Sequence, residues 1–137
     1  MYTLDINFVG VILAAIASQA LGMIWYSSFG FGKTWMKLAG VQPDFKPKGM
    51  GRSYFLSFLA AIIMAYVLAL FIVNSPPANI SSAIQLAFWV WLGFVATTNI
   101  SEYLFSPQPK PMGLFALNAG YHLVSLIVMG IVLSIWI

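Results

Sequence analysis

The stretch that decides the fold is SYFLSFLAAIIMAYVLALFIVN, residues 53–74, which contains no charged side chain. A helix crosses the roughly 30 Å hydrocarbon layer of a bilayer with about 20 apolar residues. Three further runs of this kind occur at about 6–28, 83–105 and 113–136. They are continuously apolar, which favours helices over alternating strands. We predict an all-α, polytopic membrane protein, with four transmembrane helices in one up-down bundle that spans residues 1–137.

Composition agrees with a membrane location. Of the 137 residues, 61% are hydrophobic and 7% are charged, whereas a soluble domain carries about 25% charged residues. The absence of cysteine excludes disulfides and thiolate chemistry. No basic residue precedes the first apolar run, so we expect that run to be retained rather than removed as a signal peptide.

The basic residues are confined to two of the connecting loops. They are Lys33, Lys37, Lys46, Lys48 and Arg52 in the first loop, 29–52, and Lys110 in the last. Loops rich in lysine and arginine remain cytoplasmic, so both termini are predicted outside. With a net charge of +3, this face is expected to meet anionic lipid head groups rather than nucleic acid.

The first loop contains a second helical signal. GKTWMKLAG, residues 32–40, fits a short interfacial helix with Trp35, Met36 and Leu38 towards lipid. Gly40 and then Pro43 are expected to end it. The aromatic residues Trp25, Tyr26, Trp35, Tyr54 and Tyr103 are typical of the belt that anchors helices at a membrane surface.

Small residues recur at four-residue spacing. The stripes are Ala14, Ser18 and Gly22 in the first run, Ala61, Ala65 and Ala69 in the second, and Ala116 and Gly120 in the fourth. In lipid, helices approach closely along such stripes. The stripes are expected to hold the helices of one chain together, or to join copies in a homo-oligomer.

Polar side chains interrupt the apolar runs near the basic loops, most densely in NAGYHLVSL, residues 118–126. We predict one cluster between the first, third and fourth helices, formed by Gln19, Asn99, Glu102, Asn118 and His122. Two interpretations remain open. The cluster is a binding site, since intramembrane ionisable groups are functional candidates, or it is interhelical hydrogen bonding that serves packing. Glu102 fits a solvated interfacial carboxylate equally well.

Signatures of catalysis are scarce. One histidine cannot build a multi-histidine metal site, and no nucleophile-elbow, zinc-protease or phosphate-loop motif occurs. A Glu102–His122 acid–base pair is conceivable, but no spacing fixes their contact. We therefore predict no enzyme, no catalytic residue, no metal and no cofactor.

The stretches GMIWYSSFGFGKTWMKLAG (22–40) and NAGYHLVSLIVMGIVLSIW (118–136) resemble the DUF1761 family of small bacterial integral membrane proteins. The matching residues are Trp25, Tyr26, Ser27, Phe31, Gly32, Lys33 and Trp35, followed by Asn118, Gly120, Tyr121, His122 and Gly130. Ser28 stands where the family pattern often has proline. The resemblance implies a four-helix inner-membrane protein and no particular substrate. It also marks Trp25, Tyr26, Phe31, Gly32, Lys33 and Trp35 as one interfacial motif.

Two functions follow as hypotheses. The first is an oligomeric carrier or channel-like module, with a pathway for a small polar solute or proton between protomers. The second is a noncatalytic accessory or scaffold subunit, in which the polar cluster serves packing.

Overall fold

In a computed structural model of the chain, the described residues are 6–42, 44, 48–76, 78–108 and 110–136, and within them no strand occurs. The helices are α1 Phe8–Trp25, α2 Gly32–Ala39, α3 Met50–Val73, α4 Ile80–Val90, a π-helical segment Trp91–Ala96, α5 Thr97–Leu104 and α6 Met112–Ile135. Four stretches are long and apolar enough to cross a membrane: Phe8–Trp25, Met50–Val73, Ile80–Leu104 and Met112–Ile135. The predicted all-α class with four spans is confirmed, and it indicates a multi-pass membrane protein.

The first span is shorter than the predicted 6–28 at both ends. It begins at Phe8 because the Asn7 side chain accepts hydrogen bonds from the N–H groups of Val9 and Gly10. It ends at Trp25 because the chain then folds back on itself. The Phe31 N–H donates to the carbonyl of Trp25 over 2.6 Å, which a continuing helix would not allow.

The interfacial helix α2 forms where it was predicted, and Gly40 ends it in the left-handed conformation with φ of 73°. Pro43 and Lys46 lie outside the described residues. Trp35, Met36 and Leu38, which were predicted to face lipid, are half-buried, and Trp35 and Leu38 line a cavity together with Leu114 and Asn118 of α6. A Cβ on Gly113 would lie 3.5 Å from the Leu38 side chain. Lys33 and Lys37 are exposed.

The third span changes its helical winding midway. The π-helical segment separates α4 from α5, and the Trp91 Nε1 donates to the carbonyl of Ala119 in α6 over 2.8 Å. Thr97 donates its hydroxyl hydrogen to the carbonyl of Gly93, over 2.7 Å. Extra residues per turn and hydroxyl bonds of this kind bend helices locally. The change of winding therefore lies between the two ends of the span.

The core lies where α1 contacts α3 and α6, and where α4 contacts α6. It is built largely from small side chains, which lets the backbones approach closely. Its fully buried members include Val11, Ala14, Ala15, Ala65, Ala87 and Met129. On the α4–α6 contact, a Cβ on Gly130 would lie 3.1 Å from the Ala83 carbonyl oxygen. The stripe of α3 is thus buried within one chain, as is that of α1 except for the half-buried Gly22, and assembly into a homo-oligomer stays a prediction.

Candidate functional site

A chain of hydrogen bonds joins α1, α5 and α6 at the ends nearest the basic loops. The Tyr26 hydroxyl donates to Oδ1 of Asn118 over 2.7 Å. Nδ2 of Asn118 donates to the Tyr103 hydroxyl over 2.8 Å. Asn118 lies six residues beyond Met112, the first residue of α6, or about 9 Å along the helix axis. A polar junction therefore sits inside the end of the spanning region.

Aromatic rings surround this junction. The Tyr26 ring contacts those of Tyr121 and Trp35, with centroid distances of 5.4 and 6.2 Å. The Trp25 ring stands 6.2 Å from that of Tyr121. Glycine makes the approach possible, because a Cβ on Gly22 would lie 3.0 Å from the Tyr121 hydroxyl. Among the described side chains, Nε1 of Trp25 is the one buried polar atom without a hydrogen-bond partner.

On one side of the junction lies a cavity of about 840 Å³, which we call the loop-side cavity. Its lining residues are Trp35, Leu38, Ala39, Gly40, Tyr103, Ser106, Pro107, Gln108, Lys110, Pro111, Leu114 and Asn118. The Lys110 Nζ stands 5.5 Å from the centre of the Tyr103 ring, within the range of a cation–π contact. The cavity is thus apolar along α2 and polar along the last connector.

On the other side lies a cavity of about 430 Å³ between α1, α3 and α6, which we call the inner cavity. Its lining residues are Gln19, Gly22, Met23, Tyr26, Ser27, Tyr54, Ser57 and Tyr121. Tyr26 lines the inner cavity and Asn118 lines the loop-side cavity. The hydrogen bond between these two side chains therefore stands at the boundary between the two spaces.

A third cavity of about 720 Å³ opens between α2 and the start of α3. Tyr26, Gly32, Lys33 and Trp35 line it. Four residues of the predicted interfacial motif therefore share one space. The other two motif residues, Trp25 and Phe31, contact each other with ring centres 4.7 Å apart and ring planes tilted by 49°.

Deeper in the protein, α1 and α6 pack directly against each other. The hydroxyls of Ser18 and Ser125 share a buried hydrogen bond of 2.7 Å. The Tyr121 hydroxyl donates to the Ser18 carbonyl over 3.2 Å. Beyond them stand the fully buried Val11 and Met129. The serine pair thus marks the depth at which polar contacts give way to apolar packing between these two helices.

Tyr26 is the titratable group at the boundary, one residue beyond the end of the first span. Burial raises the pKa of its phenol to about 12, and repulsion from Tyr121 and then Tyr103 adds to the effect. The hydroxyl therefore keeps its proton through the neutral range. It remains a donor to Asn118 under all physiological conditions.

The five predicted cluster residues do not come together as one group. Asn118 forms the centre of the junction, and the half-buried Gln19 lines the inner cavity. His122 is half-buried beside the Tyr121 ring, at a centroid distance of 5.1 Å, and its side chain makes no hydrogen bond to any residue that the structure describes. Asn99 is half-buried and Glu102 is exposed on α5, and neither lines the cavities described above.

Two tyrosines that complete the junction were missed as hydrogen-bonding partners. Tyr26 and Tyr103 were assigned to the aromatic belt, which their position near the helix ends explains fully. Each stands seven residues before a lysine, Lys33 and Lys110 respectively. That shared spacing is the one signal that could have paired them.

The sequence profile of the family described as "Protein of unknown function (DUF1761)" matches residues 9–134, nearly the whole chain. The chain belongs to the DUF1761 family. Comparison with curated proteins and with solved structures found no match. In this DUF1761 member, four of the residues that carried the sequence resemblance, Tyr26, Trp35, Asn118 and Tyr121, lie at or around the junction.

Proposed function

We propose that this DUF1761 protein is a membrane carrier or channel-like module that acts as an oligomer and handles a small polar solute or a proton without converting it chemically. The observation that carries the proposal is the Tyr26–Asn118 hydrogen bond, which stands between two cavities. Polar groups inside a membrane are costly unless they serve a partner or a solute.

At the junction, Asn118 can exchange one hydrogen-bonding partner for another. A polar solute that enters the loop-side cavity can replace Tyr26 as the partner of Asn118, so that opening the junction leaves the Asn118 side chain with a hydrogen-bond partner. Hydrogen bonds between membrane helices are worth roughly 0.6–2 kcal/mol each, a cost that a solute with its own donors and acceptors can offset. Past the serine pair, a continuous route requires either helix movement or a path between copies of the chain, and we favour the second.

The alternative is a noncatalytic accessory or scaffold subunit. Its support is that Asn118 is already bonded to two tyrosines and that Ser18 and Ser125 are bonded to each other. Such bonds serve packing without any solute. The two functions predict different effects for the replacement of a residue whose side chain forms no hydrogen bond to the described residues.

His122 is such a residue, so its replacement separates the two functions. We expect the His122→Leu variant to keep the wild-type melting temperature, because no described hydrogen bond is lost, and to reduce flux. Proton flux would be followed with a pH-sensitive dye inside proteoliposomes, and solute flux by light scattering with glycerol and urea.

The control is the His122→Gln variant, which stays polar but cannot titrate. A proton pathway predicts that wild-type flux varies between about pH 5 and 8 and that this dependence vanishes in both variants. Equal flux in all three proteins would count against the carrier. A lowered melting temperature with unchanged flux would favour the packing function.

The proposed location is a bacterial inner membrane, with the basic loops in the cytoplasm, where they face anionic lipid heads. A reporter active only outside the cytoplasm, fused to either terminus, is then expected to be active. A reporter active only in the cytoplasm is expected to be silent at the same positions. A fusion at the C-terminus that is active in the cytoplasm would overturn the proposed orientation.

A further inference from the structure

We infer that the loop-side cavity holds the oxyanion group of its ligand, a phosphate or a carboxylate, through Lys110, Tyr103 and Asn118. The inference deepens the proposed function, on which it rests, by naming the chemical class of the ligand. Nothing in the sequence alone pointed to this space, because the three residues come from different parts of the last connector and its flanking helices.

Lys110 gives the loop-side cavity a positive charge. Among the described residues that line the cavity, Lys110 is the only one with a charged side chain, and none carries a carboxylate. It stands against the face of the Tyr103 ring, which orients the ammonium group without neutralising it. An ammonium group that has no carboxylate among the described lining residues, and that stands beside apolar side chains, attracts an anion more strongly than it would in open water.

Tyr103 and Asn118 give the cavity hydrogen-bond donors. The Tyr103 hydroxyl accepts from Asn118, so its own hydrogen is left to donate elsewhere. The Asn118 amide has two hydrogens, of which that bond uses one. Together with the Lys110 ammonium, these donors are of the kind that an oxyanion needs. Charge-assisted hydrogen bonds are the stronger class.

The rest of the cavity also suits a small ligand, in its apolar wall and in its volume. Leu38, Leu114 and Pro111 make one side of the cavity apolar. The volume of about 840 Å³ falls within the range of about 300–1,000 Å³ found for small-molecule sites. The same chemistry fits two sources, namely the phosphate of an anionic phospholipid and a water-soluble phosphate or carboxylate.

The test is native mass spectrometry on the full-length, delipidated protein in detergent, with equal amounts of phosphatidylglycerol and phosphatidylcholine added. We expect the wild-type protein to retain phosphatidylglycerol in excess. The Lys110→Gln variant should lose that preference by about tenfold, the effect of one charge-assisted bond. The matched control is Lys37→Gln, which removes the same charge from an exposed position that lines none of the cavities described above.

A second variant, Tyr103→Phe, keeps the ring beneath Lys110 but removes the hydroxyl, and an intermediate loss is expected. Displacement of the lipid by glycerol 3-phosphate would assign the site to a soluble anion. Persistence of the lipid would assign it to the membrane's own head groups. Both results support the oxyanion site.

Equal retention of the two lipids would overturn the inference, as would an equal loss in Lys110→Gln and Lys37→Gln. Such a failure is distinguishable from failure of the carrier. If the wild-type protein shows no lipid preference but its flux is present, only the oxyanion site is ruled out; if the preference is present but there is no flux, only the carrier is ruled out.

Discussion

Replacing Gly32 by alanine is expected to destabilise the protein by about 2–3 kcal/mol, the upper part of the range for overpacking. A Cβ at this buried position would overlap the Tyr26 carbonyl oxygen and lie 2.7 Å from that of Ser27. Both oxygens belong to the backbone, so no side-chain rotation relieves the clash. The turn that leads from α1 to α2 must open, which withdraws Trp35 from Tyr26.

The measurement is the melting temperature in detergent, followed by tryptophan fluorescence. The control is Gly51→Ala in the exposed first turn of α3, where an added Cβ meets nothing within 4 Å. That change is expected to be neutral or to stabilise by up to about 1 kcal/mol. Equal melting temperatures for the two variants would contradict the described geometry of the turn.

The Asn118→Leu variant is expected to lose about 1–3 kcal/mol of stability and, under the proposed function, most of its flux. Leucine has nearly the shape of asparagine but bonds neither tyrosine. The Tyr26 and Tyr103 hydroxyls are then left half-buried without the partner that each has in the wild-type protein. The loss should exceed that of either Tyr26→Phe or Tyr103→Phe, which each remove one bond.

A double-mutant cycle gives this prediction its control. If Tyr26 acts through Asn118, then Tyr26→Phe should cost much less in the Asn118→Leu background than in the wild-type protein. Strict additivity of the two losses would show that the bond does not contribute to stability. Wild-type flux in a stable Asn118→Leu variant would remove the junction from the proposed function.

The four-helix architecture was predictable because it depends on the length of the apolar runs in the sequence. Residues 53–74 contain no charge and no helix breaker, and α3 occupies that stretch with a start three residues earlier. The early end of α1 was not predictable in the same way. It depends on a backbone bond from Phe31 to Trp25, and hydropathy carries no information about such a turn.

The candidate site was predicted only in part, for a related reason. Asn118 could be identified from the sequence because an amide side chain is unusual within an apolar run. Periodicity could not identify Tyr26 and Tyr103, since a tyrosine near a helix end satisfies the membrane interface whether or not its hydroxyl bonds to another helix. It also grouped Asn99 and Glu102 with Asn118, from their depth and their spacing on one face of the third helix. Depth does not determine which way a helix is rotated, and the structure leaves Glu102 exposed.

The proposed function requires that water reach the inner cavity beside the Tyr26–Asn118 hydrogen bond. Because the chain has no cysteine, single introduced cysteines can be labelled without background. Ser57 lines the inner cavity, whereas its neighbour Leu56 is 50% exposed and lines none of the cavities described above. A thiol in hydrocarbon stays protonated and unreactive, so only a thiol in contact with water is modified quickly.

The measurement is the rate at which a water-soluble, charged methanethiosulfonate modifies each variant in proteoliposomes. The account predicts that Ser57→Cys reacts at least about tenfold faster than Leu56→Cys, because water restores the thiolate. It also predicts that the added Asn118→Leu substitution changes the Ser57→Cys rate. Equal slow rates at both positions would show that water does not reach the inner cavity and would contradict the account.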